Sequence, residues 1–103
     1  MPFSRQAGST RSGGSFSDAV KRAVFNKGRV VPGWDASRYR ADACGYLIDW
    51  HEYGNTTRRG WEIDHIMPVA KGGTDDLINL QPLQWYTNRH KADNVYWSCP
   101  VAA

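Results

Sequence analysis

Cysteine is scarce in this chain: Cys44 and Cys99 are the only two among 103 residues. No Cys-x-x-Cys pair exists, which excludes a zinc ribbon, and two cysteines give no disulfide framework. One bridge between them is possible, but two reduced thiols in a cytosolic protein are the expectation. Long apolar runs are also missing. No stretch approaches the roughly 18 residues needed to span a bilayer. The N-terminus lacks the apolar core of a secretory signal, so a cytoplasmic location with no membrane partner is expected. Internal repeats are absent as well.

Acidic residues are rare at one end only. Residues 1–30 carry six Lys/Arg against one Asp, and residues 31–103 carry seven against nine acids, so the formal charge of +3 comes from the N-terminal part. Apolar side chains are equally rare in residues 1–15, which are mostly Ser, Gly and Arg. Such a stretch buries too little surface to offset its ordering entropy, and a disordered basic arm is expected there, with Arg5 and Arg11 able to touch phosphate. The rest is sized for one small domain over residues 16–98, followed by a tail at 99–103. In so modest a core, the five Trp and five Tyr must contribute much of the buried area.

Ser17 reads as the N-cap of a helix over residues 18–26, with Asp18 in the first turn and Gly28 past its end. Ala19, Val20, Ala23 and Val24 supply one apolar face. Pro32-Gly33 breaks the chain. Residues 45–50 have strand composition, residues 53–57 a turn, and residues 61–66 a second strand. A third short strand at residues 77–78 is expected after the Gly72-Gly73 reversal, then a helix over residues 82–91 opened by Pro82. Trp61, Ile63, Ile66, Leu77, Leu80, Leu83 and Trp85 are the expected core of this half.

Chemistry concentrates in residues 61–93. His65 has a side chain able to take a proton from water near neutrality, and Asp64 beside it offers a hard oxygen ligand. Asn79 follows 14 positions later and Asn88 nine after that. His51-Glu52 lacks any ligand-spaced partner and reads as structural. Glu62 is read as a solvated strand residue or a backing group, and Asp75-Asp76 as loop caps.

The run Gly60-Trp61-Glu62-Ile63-Asp64-His65-Ile66-Met67-Pro68, then Gly72-Gly73, Asn79-Leu80-Gln81-Pro82-Leu83 and Asn88-Arg89-His90-Lys91-Ala92-Asp93, resembles the HNH endonucleases. The resemblance is strong over about 33 residues, 61–93. It implies an α+β domain of the small ββα-metal (His-Me finger) type, here with an added N-terminal helix. It departs from the commonest pattern at the last position. Spacing from Asn79, and the helix lysine three further on, match Asn88 rather than His90, giving an H-N-N variant. His90 lies about 200° around a helix from Asn88.

The resemblance also implies roles. Asp64 and Asn88 would hold one divalent cation, His65 would act as general base, and Asn79 would tie the loop and orient His65. Oxygen donors favour Mg²⁺ or Mn²⁺ over Zn²⁺ or Ni²⁺. Arg58, Arg59, Lys71, Arg89 and Lys91 are candidate contacts to a DNA phosphate backbone. No recognition module accompanies the motif, so sequence specificity is expected to be low, with targeting or immunity left to a partner protein. A non-cleaving binding module of the same fold, and the nuclease domain of a delivered antibacterial toxin, are the alternatives. Asp64 and His65 pose a geometric problem, because neighbours in a regular strand point to opposite faces. One site can use both only if the strand ends, twists or bulges there.

Overall fold

A computed structural model describes residues 5–101; residues 1–4 of the expected arm and 102–103 of the expected tail lie outside the described residues. In chain order the elements are α1 (Asp18–Phe25), β1 (Tyr39–Ala41), β2 (Leu47–Asp49), β3 (Trp61–His65), β4 (Leu80–Gln84) and α2 (Trp85–Lys91). Single 3₁₀ turns occur at Trp50–Glu52, Val69–Lys71 and Leu77–Asn79. β1 and β2 form one antiparallel pair, and β3 and β4 the other. The architecture is α+β.

Local chemistry explains the first helix. Ser17 Oγ accepts from Val20 N at 3.2 Å, and Asp18 sits where the helix dipole favours a negative charge. Val24 and Phe25 are buried at the other end. The Phe25 ring lies 5.2 Å from Trp61 and 5.6 Å from Trp50, and Tyr53 meets Trp61 edge-on at 4.8 Å. With Phe16, Ile48, Ile63 and Leu80 these rings make the core. Burying a side chain of this size contributes roughly 1.5–3 kcal/mol, so Trp61 and Phe25, both fully buried, anchor α1 to β3.

β3 and β4 are in register from Trp61↔Gln84 to His65↔Leu80. The strand expected at residues 77–78 is instead the Leu77–Asn79 turn, and pairing starts at Leu80. The helix expected from Pro82 starts at Trp85, because Pro82 lies inside β4. A two-stranded sheet gives each strand one unpaired edge, where a residue without an N–H costs no ladder bond. Gln84 then caps α2, its Oε1 accepting from Tyr86 N at 2.8 Å and Thr87 N at 3.2 Å. Ile66 and Leu77, expected in the core, are 43% and 47% exposed, since both fall beyond the paired segment.

The two cysteines are joined, not reduced: Cys44 and Cys99 form a disulfide, with Cα atoms 5.6 Å apart. Sequence separation carried no hint of it. The tail folds back so that Pro100 is buried and its carbonyl accepts from Tyr46 Oη at 2.7 Å. That brings residue 99 beside the turn following β1.

Candidate active site

All five residues of β3 are buried, although their side chains alternate between two faces. Trp61, Ile63 and His65 lie on one face, where Trp61 and Ile63 belong to the core and the His65 ring sits 6.0 Å from Phe16. Glu62 and Asp64 lie on the other, and α2 covers them. Asn88 Nδ2 donates to Glu62 Oε1 at 2.9 Å, Arg89 Nη2 to Glu62 Oε2 at 3.1 Å, and Lys91 Nζ is 3.2 Å from Asp64 Oδ1. Three polar contacts thus fix the helix over the strand's acidic face.

β3 ends at His65, whose side chain stays on the face opposite Asp64. Ile66 N bonds Asn79 O at 2.8 Å as the chain leaves the sheet. Asp64, His65 and Asn88 line one cavity of about 160 Å³, together with Arg5, Arg89 and Asp93.

The loop between β3 and β4 is closed by Asn79. Its Oδ1 accepts from Met67 N at 2.8 Å, and its Nδ2 donates to Met67 O at 3.1 Å and Thr74 O at 2.9 Å. The two glycines have separate reasons. Gly72 has φ of 92°, a left-handed conformation that other residues rarely adopt, and a Cβ on Gly73 would collide with the Met67 carbonyl.

Asp64 is buried, and that burial pushes its carboxyl above the ordinary value, against the opposing pull of the Gln81 hydrogen bond and the Lys91 and His65 charges. Gln81 Nε2 donates to Asp64 Oδ2 at 2.8 Å. Each carboxylate oxygen still has acceptor capacity beyond these contacts. Asn88 complements it. Its nitrogen faces the Glu62 carboxylate, which can only accept when ionised, so the amide oxygen is the end left free. A carboxylate and an amide oxygen on one cavity wall suit a hard cation whose other positions go to water and phosphate. Among the described residues no three His, Cys, Asp or Glu side chains gather as a metal-binding group. A pair with one amide donor is a different donor set from such a group.

The expected phosphate contacts scatter. Arg89 borders the cavity, its side chain half exposed. Arg58 and Lys71 are exposed, and Arg59 stacks 5.0 Å from the Trp34 ring; none of the three lines that cavity. Lys91 does not fit a phosphate contact at all. It is 1% exposed and held between Asp64 and the His65 carbonyl, to which its Nζ donates at 3.0 Å. His90 is exposed, away from the site's walls.

Sequence reasoning gave Glu62, Asp75 and the arm too little weight. Glu62 is 4% exposed, buried by α2 rather than solvated. Asp75 Oδ1 lies 2.7 Å from His65 Nε2, and Arg11 N donates to the same carboxylate at 2.9 Å. Arg5, Ala7 and Gly8 form part of the cavity wall. The acidic pair at 75–76 in a loop that must return to the histidine was the one signal that pointed to Asp75.

Two antiparallel strands, a clamped loop and a helix laid over the acid-bearing face constitute a ββα-metal fold. Residues 43–99, more than half of the chain, match the family model described as HNH endonuclease, and the chain belongs to that family. No curated protein and no solved structure matches it. No helix among the described residues is long and apolar enough to cross a membrane.

Proposed function

We propose that this chain is a divalent-metal-dependent DNA endonuclease of the H-N-N type, using Asp64 and Asn88 as cation ligands and His65 as general base. The observation that supports it best is the single cavity shared by an acid, an imidazole and an amide whose oxygen is free. A bound cation would neutralise charge on the scissile phosphate and the leaving oxygen, an effect worth several kcal/mol.

The chain's own residues do the rest. His65, with Nε2 engaged by Asp75, presents Nδ1 to accept the proton of an attacking water. The water oxygen bonds to phosphorus, the bond to the 3′ oxygen breaks, and that oxygen takes a proton from solvent water, so the products carry 5′-phosphate and 3′-hydroxyl. General-base help of this kind contributes roughly 10²–10⁴ in rate. Asn79 keeps the loop shut and thereby holds the histidine's surroundings. Lys91 balances the buried Asp64 charge, and Arg89 supplies positive charge at the rim. Oxygen-only ligation favours Mg²⁺ or Mn²⁺ over Zn²⁺ or Ni²⁺. Contacts to phosphate rather than to base edges make for low sequence specificity.

One observation favours a particular setting for the same chemistry. The Cys44–Cys99 bridge suits a chain that passes through an oxidising space, as a delivered toxin's nuclease domain would, more than one that stays among cytosolic reductants. Growth arrest on intracellular expression, relieved by a dedicated partner protein, is the corresponding phenotype.

The test is cleavage of supercoiled plasmid with Mg²⁺, with Mn²⁺, with Zn²⁺ and with chelator. Nicking or linearisation with Mg²⁺ and Mn²⁺, abolished by chelator, is expected. Undiminished cleavage in chelator, or Zn²⁺ as the best activator, contradicts the ligand assignment.

A further inference from the structure

Asp75 lies in the loop between β3 and β4, outside the histidine and the two asparagines of the motif. Its carboxylate has two partners among the described residues. His65 Nε2 stands 2.7 Å from Oδ1, and the backbone N–H of Arg11 donates to Oδ1 at 2.9 Å and Oδ2 at 3.2 Å. We infer that Asp75 is the positioning residue of His65, and that the N-terminal arm is the strap that holds Asp75 in place. The inference rests on His65 being the general base.

Three features carry it. An ionised carboxylate can only accept, so the His65 Nε2 facing it must bear the proton, which leaves Nδ1 as the basic nitrogen. The loop is pinned immediately before Asp75, because Asn79 Nδ2 donates to Thr74 O at 2.9 Å. Asn79 thereby steadies the segment that carries Asp75, as it does the Ile66–Met67 backbone that follows His65. The arm is shaped to offer its N–H: a turn closed by Thr10 N to Gly14 O at 2.8 Å and Gly14 N to Thr10 Oγ1 at 2.9 Å presents Arg11 N outward. A few residues later Phe16 packs beside the same imidazole at 6.0 Å. The arm thus meets the histidine twice, once through the carboxylate and once through a ring, and Arg5, Ala7 and Gly8 line the cavity wall.

Loss of the partner behind a metal ligand typically costs about 10–100-fold, and a factor of the same order is expected for the partner behind a general base. The experiment compares the unmodified chain with Asp75→Ala, Asp75→Asn, Arg11→Pro and His65→Ala, by plasmid cleavage kinetics and by long-range ¹⁵N–¹H NMR of the imidazole at pH 8.5. The unmodified chain should show a single Nε2–H tautomer. Asp75→Ala should lower kcat about 10–100-fold with KM unchanged, and the imidazole should become a tautomer mixture. Asp75→Asn, which keeps an acceptor oxygen at the same reach, should restore the tautomer and most of kcat. Arg11→Pro, which deletes the N–H, should fall between them.

An Nδ1–H tautomer in the unmodified chain overturns the inference without any variant, and so covers the case in which Asp75→Ala fails to fold. Wild-type kcat in Asp75→Ala also overturns it. If His65→Ala abolishes cleavage while Asp75→Ala does not, only this inference fails. If His65→Ala cleaves normally, the general-base reading fails with it.

Discussion

Asn88 and Glu62 meet across the α2–β3 interface, amide nitrogen to carboxylate oxygen at 2.9 Å, and both side chains are buried. That contact decides which end of the Asn88 amide is left for a ligand. Glu62→Gln removes the constraint, because a glutamine can donate as well as accept, and the Asn88 amide can then turn over. Mn²⁺ affinity, measured by calorimetry, should drop about 10–100-fold, in line with losses of other partners behind metal ligands. Unchanged affinity would mean that Asn88 is not a ligand.

Lys91 and Asp64 form an ion pair with both side chains almost fully buried. Removing one member leaves the other charge buried without compensation, at a cost of about 3–5 kcal/mol. Lys91→Met should therefore lower thermal stability markedly in chelator. Added Mn²⁺ should recover part of the loss, because a cation beside Asp64 replaces the missing positive charge. If Lys91→Met instead keeps its stability and only weakens DNA binding, the buried pairing described here is incorrect.

Acid should unfold the domain partly through Asp49. Its burial pushes the carboxyl up, but the Arg38 hydrogen bond, the His51 N–H and the nearby positive charge outweigh that and hold it below the ordinary value. A folded-state value below the unfolded one gives stabilisation fully present above about pH 4 and lost as pH falls through the depressed value. Arg38→Ala removes the principal opposing partner, so the acid-unfolding midpoint should move to higher pH. Circular dichroism across pH 2–5 provides the check (an approximate window set by the free aspartate value); an unmoved midpoint argues against the pairing.

The disulfide closes a long loop, and bridges of that kind typically contribute about 2–4 kcal/mol. Reduction, or Cys44→Ser with Cys99→Ser, should lower the melting temperature and free the tail near Pro100. Neither cysteine lines the cavity that holds His65, so cleavage at low temperature should survive. Loss of cleavage in a folded, reduced protein would show that the tail supports the site.

Much of this was legible in the chain. Ser17 announced α1, and the run from Trp61 to His65 gave β3 to within one residue, because caps and a dense aromatic-acidic strand are local signals. The Gly72-Gly73 reversal was equally local. What escaped depended on distant partners. Pro82 fits a helix start as well as a free strand edge, and only pairing with Ile63 decides between them. Glu62 looks like a solvated strand residue until α2 lies over it. Lys91 looks like a phosphate contact until it is seen beneath the helix against Asp64. Cys44 and Cys99 become a pair only because the tail returns, and Asp75 gains its second partner, the Arg11 N–H, from an arm whose composition gave no hint of docking.

The most direct test of the catalytic claim is the His65→Ala variant, with plasmid cleavage and Mn²⁺ binding measured on the same preparation. The account predicts cleavage reduced by roughly 10²–10⁴ with Mn²⁺ affinity retained, since the imidazole removes a proton and holds no metal. Cleavage at the wild-type rate, or loss of Mn²⁺ binding together with activity, would contradict it.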